Sequence, residues 1–115
     1  PADQQFMLRL TSLLDLRLDD SDLRIDELAS EMAMSRTSFY NKVKSVTGVS
    51  ANVFVTDYKV KKACNLLRTT DLPVQEVAMQ LGFVSQRYFS TVFKQTTAKT
   101  PTQYRNESNP AAKKL

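Results

Sequence analysis

Residues 24–54 read RIDELASEMAMSRTSFYNKVKSVTGVSANVF, and residues 73–104 read PVQEVAMQLGFVSQRYFSTVFKQTTAKTPTQY. Laid over one another at an offset of 49, Ile25 meets Val74, Glu27 meets Glu76, Leu28 meets Val77, Ala29 meets Ala78 and Met32 meets Leu81. One inserted residue changes the offset to 50. Ser35 then meets Ser85, Phe39 meets Phe89, Val43 meets Phe93, Lys44 meets Lys94, Thr47 meets Thr97 and Phe54 meets Tyr104. Apolar positions fall on apolar positions and the serines coincide, so the chain contains two copies of one unit.

Each copy reads as a short helix, a tight turn and a basic second helix, the helix-turn-helix pattern, in which a small residue such as Ala29 or Ala78 lets two helices cross closely. In the first copy Ile25, Leu28, Ala29 and Met32 form one apolar side, with Asp26 and Glu27 placed for the N-terminal dipole. Ser35 is the N-cap of the next helix, whose Phe39, Val43 and Val46 share a face, and Gly48 suits a left-handed C-terminal position. In the second copy Pro73 suits the first turn and Val74, Val77, Ala78 and Leu81 face inward. Ser85 caps a helix with Phe89, Val92, Phe93 and Thr96 inside. Two copies are too few for a solenoid of generic hairpins, which needs three or more to bury a continuous core.

The flanking segments complete an all-α chain of seven helices, two helix-turn-helix units joined by a long linker helix. Phe6, Leu10, Leu13 and Leu14 make the stripe of a first helix ending near Leu18. Ser50 caps the linker helix, which runs to about Arg68 with Val53, Thr56, Val60, Ala63, Cys64 and Leu67 in one arc. Roughly 18 residues at 1.5 Å each span about 27 Å, near the ~34 Å between successive major grooves on one face of B-DNA. Thr100-Pro101-Thr102-Gln103 is a capping box with Pro at the first helical position, opening a short helix through Tyr104. The segments are thus 1–20, an N-terminal helix and connector; 21–50, the first unit; 51–70, the linker helix; 71–105, the second unit with its C-terminal helix; and 106–115, a frayed tail.

Composition narrows the chemistry. Among 115 residues there is no His, one Cys and two Gly. This excludes an intramolecular disulfide, a Cys-based zinc site and a glycine-rich phosphate loop. No cofactor, metal or catalytic constellation is expected: Ser and Thr have no adjacent base. No apolar run reaches the ~20 residues that span a bilayer. The net charge of +4 conceals a partition. Residues 1–31 carry eight acids against three bases, and residues 32–115 four acids against thirteen bases. No acid stands between Glu31 and Asp57 or between Glu76 and Glu107. Acid-free blocks of this kind suit a polyanionic partner. Cys64 and the methionines at 32, 34 and 79 read as core filler. Lys59, Lys61 and Lys62 read chiefly as a solvated face.

Helical geometry selects the candidate contacts with double-stranded DNA. Opposite Phe39 and Val43 lie Thr37, Tyr40, Asn41 and Lys44; opposite Phe89 and Phe93 lie Arg87, Ser90, Thr91 and Lys94. Arg36 and Gln86 sit beside the N-terminal turns, where a recognition helix usually touches base edges. Asn and Gln bond adenine bidentately and Arg suits guanine O6 and N7. Lys44 and Lys94 suit phosphates that set register. Tyr40 is either a contact or rim packing. Two other readings are a helical protein-interaction module, in which Arg36, Arg87 and Lys94 are dispensable for DNA binding, and the DNA-docking part of a recombinase or transposase.

The run from Val77-Ala78 through Gly82-Phe83, Tyr88-Phe89-Ser90, Phe93-Lys94 and Thr100-Pro101 to Tyr104-Arg105, supported by ELASEMAMSRTSFYNKVKSVTG, resembles the DNA-binding domain of AraC/XylS-family bacterial transcription regulators. The resemblance covers residues 22 to 106 and implies seven helices with recognition helices in adjacent major grooves of one DNA face. The acidic, leucine-rich first helix resembles the output domain of hybrid two-component regulators. The resemblance implies sequence-specific binding by an output domain, RNA polymerase as a partner, and fused upstream sensor or receiver domains. It also implies a cytoplasmic, nucleoid-associated location, no membrane contact by this segment, and a full-length protein that could be membrane-anchored. Lys59 stands where the family often has Arg, Ala33 and Ala98 where it often has Gly, and Thr91 where it often has Arg.

Overall fold

The computed structural model describes residues 2–108, which contain seven helices and no strand. They are α1 Ala2–Leu16, α2 Ile25–Glu31, α3 Arg36–Thr47, α4 Ala51–Thr69, α5 Val74–Gln80, α6 Gln86–Thr97 and α7 Pro101–Ser108. Two compact units divide between Thr56 and Asp57, inside α4.

In the first unit Leu10 and Leu14 of α1 are fully buried, as are Leu28 and Val43, and Ala29, Met32, Phe39 and Ala51 are nearly so. The α2–α3 junction is set by local chemistry. Ser35 Oγ accepts from the Ser38 N–H at 3.1 Å, and α3 ends at Gly48, whose N–H donates to Lys44 O at 2.9 Å with φ at 81°. Thr47 Oγ1 donates to Val43 O and accepts from the Val49 N–H, which closes the last turn.

The second unit repeats this chemistry. Ser85 Oγ accepts from the Tyr88 N–H at 3.0 Å, the Ala98 N–H donates to Lys94 O at 2.8 Å, and Thr97 Oγ1 donates to Phe93 O at 2.8 Å. Its core is an aromatic chain: Phe83 to Phe89 at 5.0 Å between ring centroids, Phe89 to Phe93 at 5.6 Å, and Phe93 to Tyr104 at 5.6 Å. Val60, Ala63, Leu67, Val77, Ala78 and Leu81 are the other buried apolar residues of this unit's helices α4 and α5 and the turn after them. The capping box of α7 is formed in both directions, Gln103 N–H to Thr100 Oγ1 at 3.1 Å and Thr100 N–H to Gln103 Oε1 at 2.9 Å. Arg105 Nε donates to Leu67 O at 3.1 Å, holding α7 to the end of α4.

Several expectations need correcting. Val53 is 46% exposed: in the first turn of α4 the buried place goes to Ala51. Thr96 is exposed because the half-buried threonine that closes α6 is its neighbour Thr97. Cys64 is half-buried, not core. Met79 is 58% exposed and so fills no core, whereas Phe83 does. Pro73 is the N-cap of α5 and not part of its first turn, since its ψ of 149° is extended. The last helix continues past Tyr104 to Ser108, so 106–108 are helical; the rest of the expected tail lies outside the described residues.

Candidate nucleic-acid interface

On α3 the structure leaves Arg36, Thr37, Asn41 and Lys44 exposed, with Tyr40 half-buried among them. Tyr40 packs edge-on to Phe39, with centroids 6.0 Å apart, and the Arg36 guanidinium carbon stands 5.2 Å from the Tyr40 ring centroid. Arg36 Nη1 also donates to Asp26 Oδ2 of α2 at 3.1 Å. Tyr40 and Asp26 thus hold Arg36 between them. The partnership with Asp26 was not visible in the sequence, where Asp26 served only the helix dipole. The pair is solvent-exposed on both sides, 70% and 45%, and such pairs contribute only about 0.2–1 kcal/mol. Freeing the Arg36 guanidinium from Asp26 therefore costs little.

Lys42, the remaining base of α3, is engaged elsewhere. Its Nζ donates to Asp3 Oδ1 of α1 at 2.7 Å and stands 5.9 Å from the Phe6 ring centroid. With Phe6 and Phe39 6.3 Å apart, these contacts place Lys42 on the α1 side of α3, away from the candidate face.

On α6, Gln86, Arg87, Thr91 and Lys94 are exposed and Ser90 is half-buried. Thr91 Oγ1 donates to Arg87 O at 3.1 Å, so its hydroxyl proton is used within the helix. Among the described residues Arg87 and Lys94 have no ion-pair partner. Lys99 lies beyond the end of α6 at Thr97 and pairs with Glu107 of α7. The two faces therefore differ: the arginine beside the cap is anchored in the first unit, and the arginine one residue further on is free among the described residues in the second.

Ionic contacts in the first unit keep α1 and α2 together. Arg17 donates to Asp20 at 2.8 Å, Glu27 at 2.9 Å and Glu31 at 3.1 Å, and Arg9 to Glu31 O at 3.2 Å. The hydrogen bonds that Arg17 donates to Asp20 and Glu27 raise its pKa above the ordinary value, and the Arg17 guanidinium lowers that of Glu27. The acids of the first 31 residues are thus partly neutralised locally. Among the described residues no cluster of His, Cys, Asp or Glu could hold a metal ion, and no helix is long and apolar enough to cross a membrane.

A model of the helix-turn-helix domain matches residues 28–107. The regulatory protein SoxS of Salmonella typhimurium is 32% identical over 105 residues, which cover 91% of this chain and 97% of SoxS. The chain belongs to the AraC-type helix-turn-helix family. Such a domain binds DNA sequence-specifically for a transcription regulator and is not an enzyme, which sets aside the protein-interaction and recombinase readings. The C-terminal domain of AraT, a response regulator from Geobacillus stearothermophilus, superposes with a TM-score of 0.80 at 31% identity, covering 88% of this AraC-type domain and 84% of that chain. The DNA-binding domain of AdpA, solved in complex with a target DNA, gives 0.78 at 28% identity, covering 85% and 87%. A Formosa agariphila protein named histidine kinase P4 is 29% identical over 104 residues, 90% of this chain. The chain spans 8% of the length of that kinase and 34% of the Neisseria gonorrhoeae regulator MtrA, which is 34% identical over 86% of this chain.

Proposed function

We propose that the domain is the output module of a larger bacterial regulator and reads one duplex with both units, α3 and α6 lying in adjacent major grooves. The observation that carries this reading is the equivalence of the two helices. Each begins at a serine cap, Ser35 or Ser85, and ends at a left-handed residue bonded to a lysine carbonyl, Lys44 or Lys94. Each bears exposed polar and basic side chains on the face opposite its buried aromatics.

In this reading Arg36, Gln86 and Arg87 approach base edges from the N-terminal turns, joined by Thr37, Tyr40, Asn41, Ser90 and Thr91, while Lys44 and Lys94 meet phosphates. The likeness to a response-regulator C-terminal domain and to a histidine kinase supports receiver or sensor segments elsewhere in the full protein. RNA polymerase as the second partner, work at the nucleoid in the cytoplasm, and membrane anchoring through other segments extend the same reading.

Selection of bound duplexes from a random pool tests it. The expected result is an asymmetric consensus of two short elements about one helical turn apart, with log affinity falling steeply against log salt, near −0.9 per neutralised phosphate. A pool that yields no consensus and a shallow salt response would overturn it.

A further inference from the structure

The turn before each recognition helix is built alike up to one residue. The Met34 N–H donates to Ala29 O at 2.9 Å and the Phe83 N–H to Ala78 O at 3.0 Å, so Met34 and Phe83 are equivalent. In the first unit the capping serine follows at once. In the second, Val84 intervenes, and it is therefore the residue that shifts the repeat offset from 49 to 50.

Val84 is 75% exposed. A hydrophobic residue just before an N-cap ordinarily packs on the fourth helical residue, here Phe89. At 75% exposure little of the Val84 side chain serves such a contact. Phe89 is fully buried, with Phe83 on it at 5.0 Å and Phe93 at 5.6 Å between centroids. Val84 thus presents its methyl groups to solvent at the leading end of α6, beside exposed Gln86 and Arg87. In the first unit the side chain ahead of the cap, Met34, is half-buried.

The N-terminal end of a recognition helix is the part that reaches base edges, and a thymine in the major groove is marked by its C5-methyl group, which apolar side chains contact. We infer that Val84 is a specificity-determining residue that reads a thymine methyl group in the half of the site facing α6. This rests on the proposed function. It adds an apolar readout that Gln86 and Arg87 cannot supply, from an inserted position that has no counterpart in the first unit.

The test uses the 115-residue chain and the duplex selected from the random pool. Thymines in each half-site are replaced singly by deoxyuridine, which removes only the methyl group, and binding is followed by fluorescence anisotropy for the wild type, Val84→Ser and Val84→Ala. One replacement, in the half protected by α6, should weaken wild-type binding about four-fold, the worth of one methyl group taken out of water. The same replacement should have no effect on Val84→Ser and at most a small one on Val84→Ala, with helix content unchanged in both. An equal penalty in wild type and Val84→Ser, or no sensitive thymine in that half, would overturn the inference while leaving the DNA-binding reading intact. Failure to select any duplex would overturn both.

Discussion

Ala33 and Gly82 hold the same place in the turns of the two units, and both have left-handed backbone, with φ of 56° and 73°. Gly48 and Ala98 form a second such pair at the ends of α3 and α6, with φ of 81° and 66°. In each pair one unit places alanine where the other has glycine. The left-handed conformation costs a residue with a Cβ about 1–2 kcal/mol, partly offset by the greater chain entropy glycine loses on folding. Nothing lies within 4 Å of where a Cβ on Gly48 would stand, so strain and not crowding sets the outcome there. We expect Gly48→Ala to lower stability by about 1 kcal/mol. Ala98→Gly should raise it by up to ~1 kcal/mol. Denaturant midpoints at unchanged slope would show both; a destabilised Ala98→Gly would contradict the account.

The serine caps are the other local device the units share. Ser35 and Ser85 each satisfy one backbone N–H of the first turn, at 3.1 and 3.0 Å. Removing either hydroxyl should cost about 1 kcal/mol. Replacement of both should be additive, since they share no hydrogen-bond partner. Substituting glycine at the same positions should cost only a few tenths of that amount, about 0.3 kcal/mol, which separates a lost side-chain bond from a lost backbone preference.

Arg17 and its three carboxylates make a pH-dependent joint between α1 and α2. The Glu27 pKa is lowered below its ordinary value by the Arg17 hydrogen bond. A carboxylate held lower in the folded than in the unfolded chain stabilises the fold above its unfolded pKa, and that contribution is lost as pH falls through the folded one. Wild type should therefore be more stable than Glu27→Gln near neutral pH, and the difference should close on acidification below the ordinary glutamate range. Arg17 stays charged throughout this range, so Arg17→Ala should weaken the joint at neutral pH and itself flatten the acid dependence. The three carboxylates are substantially exposed and Arg17 is partly so, and high salt should shrink the effect. A wild-type advantage that persists unchanged at low pH would show that Glu27 acts by packing and not by charge.

Much of this architecture is legible in the sequence because it is written locally. Ser35, Ser50, Ser85 and Thr100 announce helix starts that the structure confirms through side-chain bonds to backbone N–H groups. Gly48 announces a helix end. Burial is less local. Periodicity places Val53 and Thr96 on inward arcs, but an arc is buried only where another element covers it, and at those two turns none does. The reverse holds for Phe83, a turn residue that lies outside any helical period and is nonetheless enclosed by Phe89. The candidate interface divides in the same way. Which side chains face outward on α3 and α6 follows from helix geometry, whereas the tie from Asp26 to Arg36 and the diversion of Lys42 to Asp3 depend on tertiary placement of α2 and α1.

The difference between anchored and free cations leads to an ordering of mutant effects on DNA binding. Arg87 is exposed with no ion-pair partner among the described residues, beside the cap of α6. If it is bidentate to guanine, Arg87→Ala should lose about 1–3 kcal/mol on the selected site and relax the choice at one base pair. Lys94→Ala should instead weaken binding on all sequences alike and make the salt dependence shallower by about 0.9 in log–log slope, the signature of one lost phosphate contact. Arg36 must give up Asp26 to bind, an exposed pair worth about 0.2–1 kcal/mol, so Asp26→Ala should tighten binding modestly while Arg36→Ala weakens it. Anisotropy titrations of these four variants on the selected site and on a scrambled duplex, each at several salt concentrations, distinguish the roles. Equal losses on both duplexes for Arg87→Ala would reassign that residue to the backbone. No gain for Asp26→Ala would mean that the carboxylate orients Arg36 for the groove and does not hold it back.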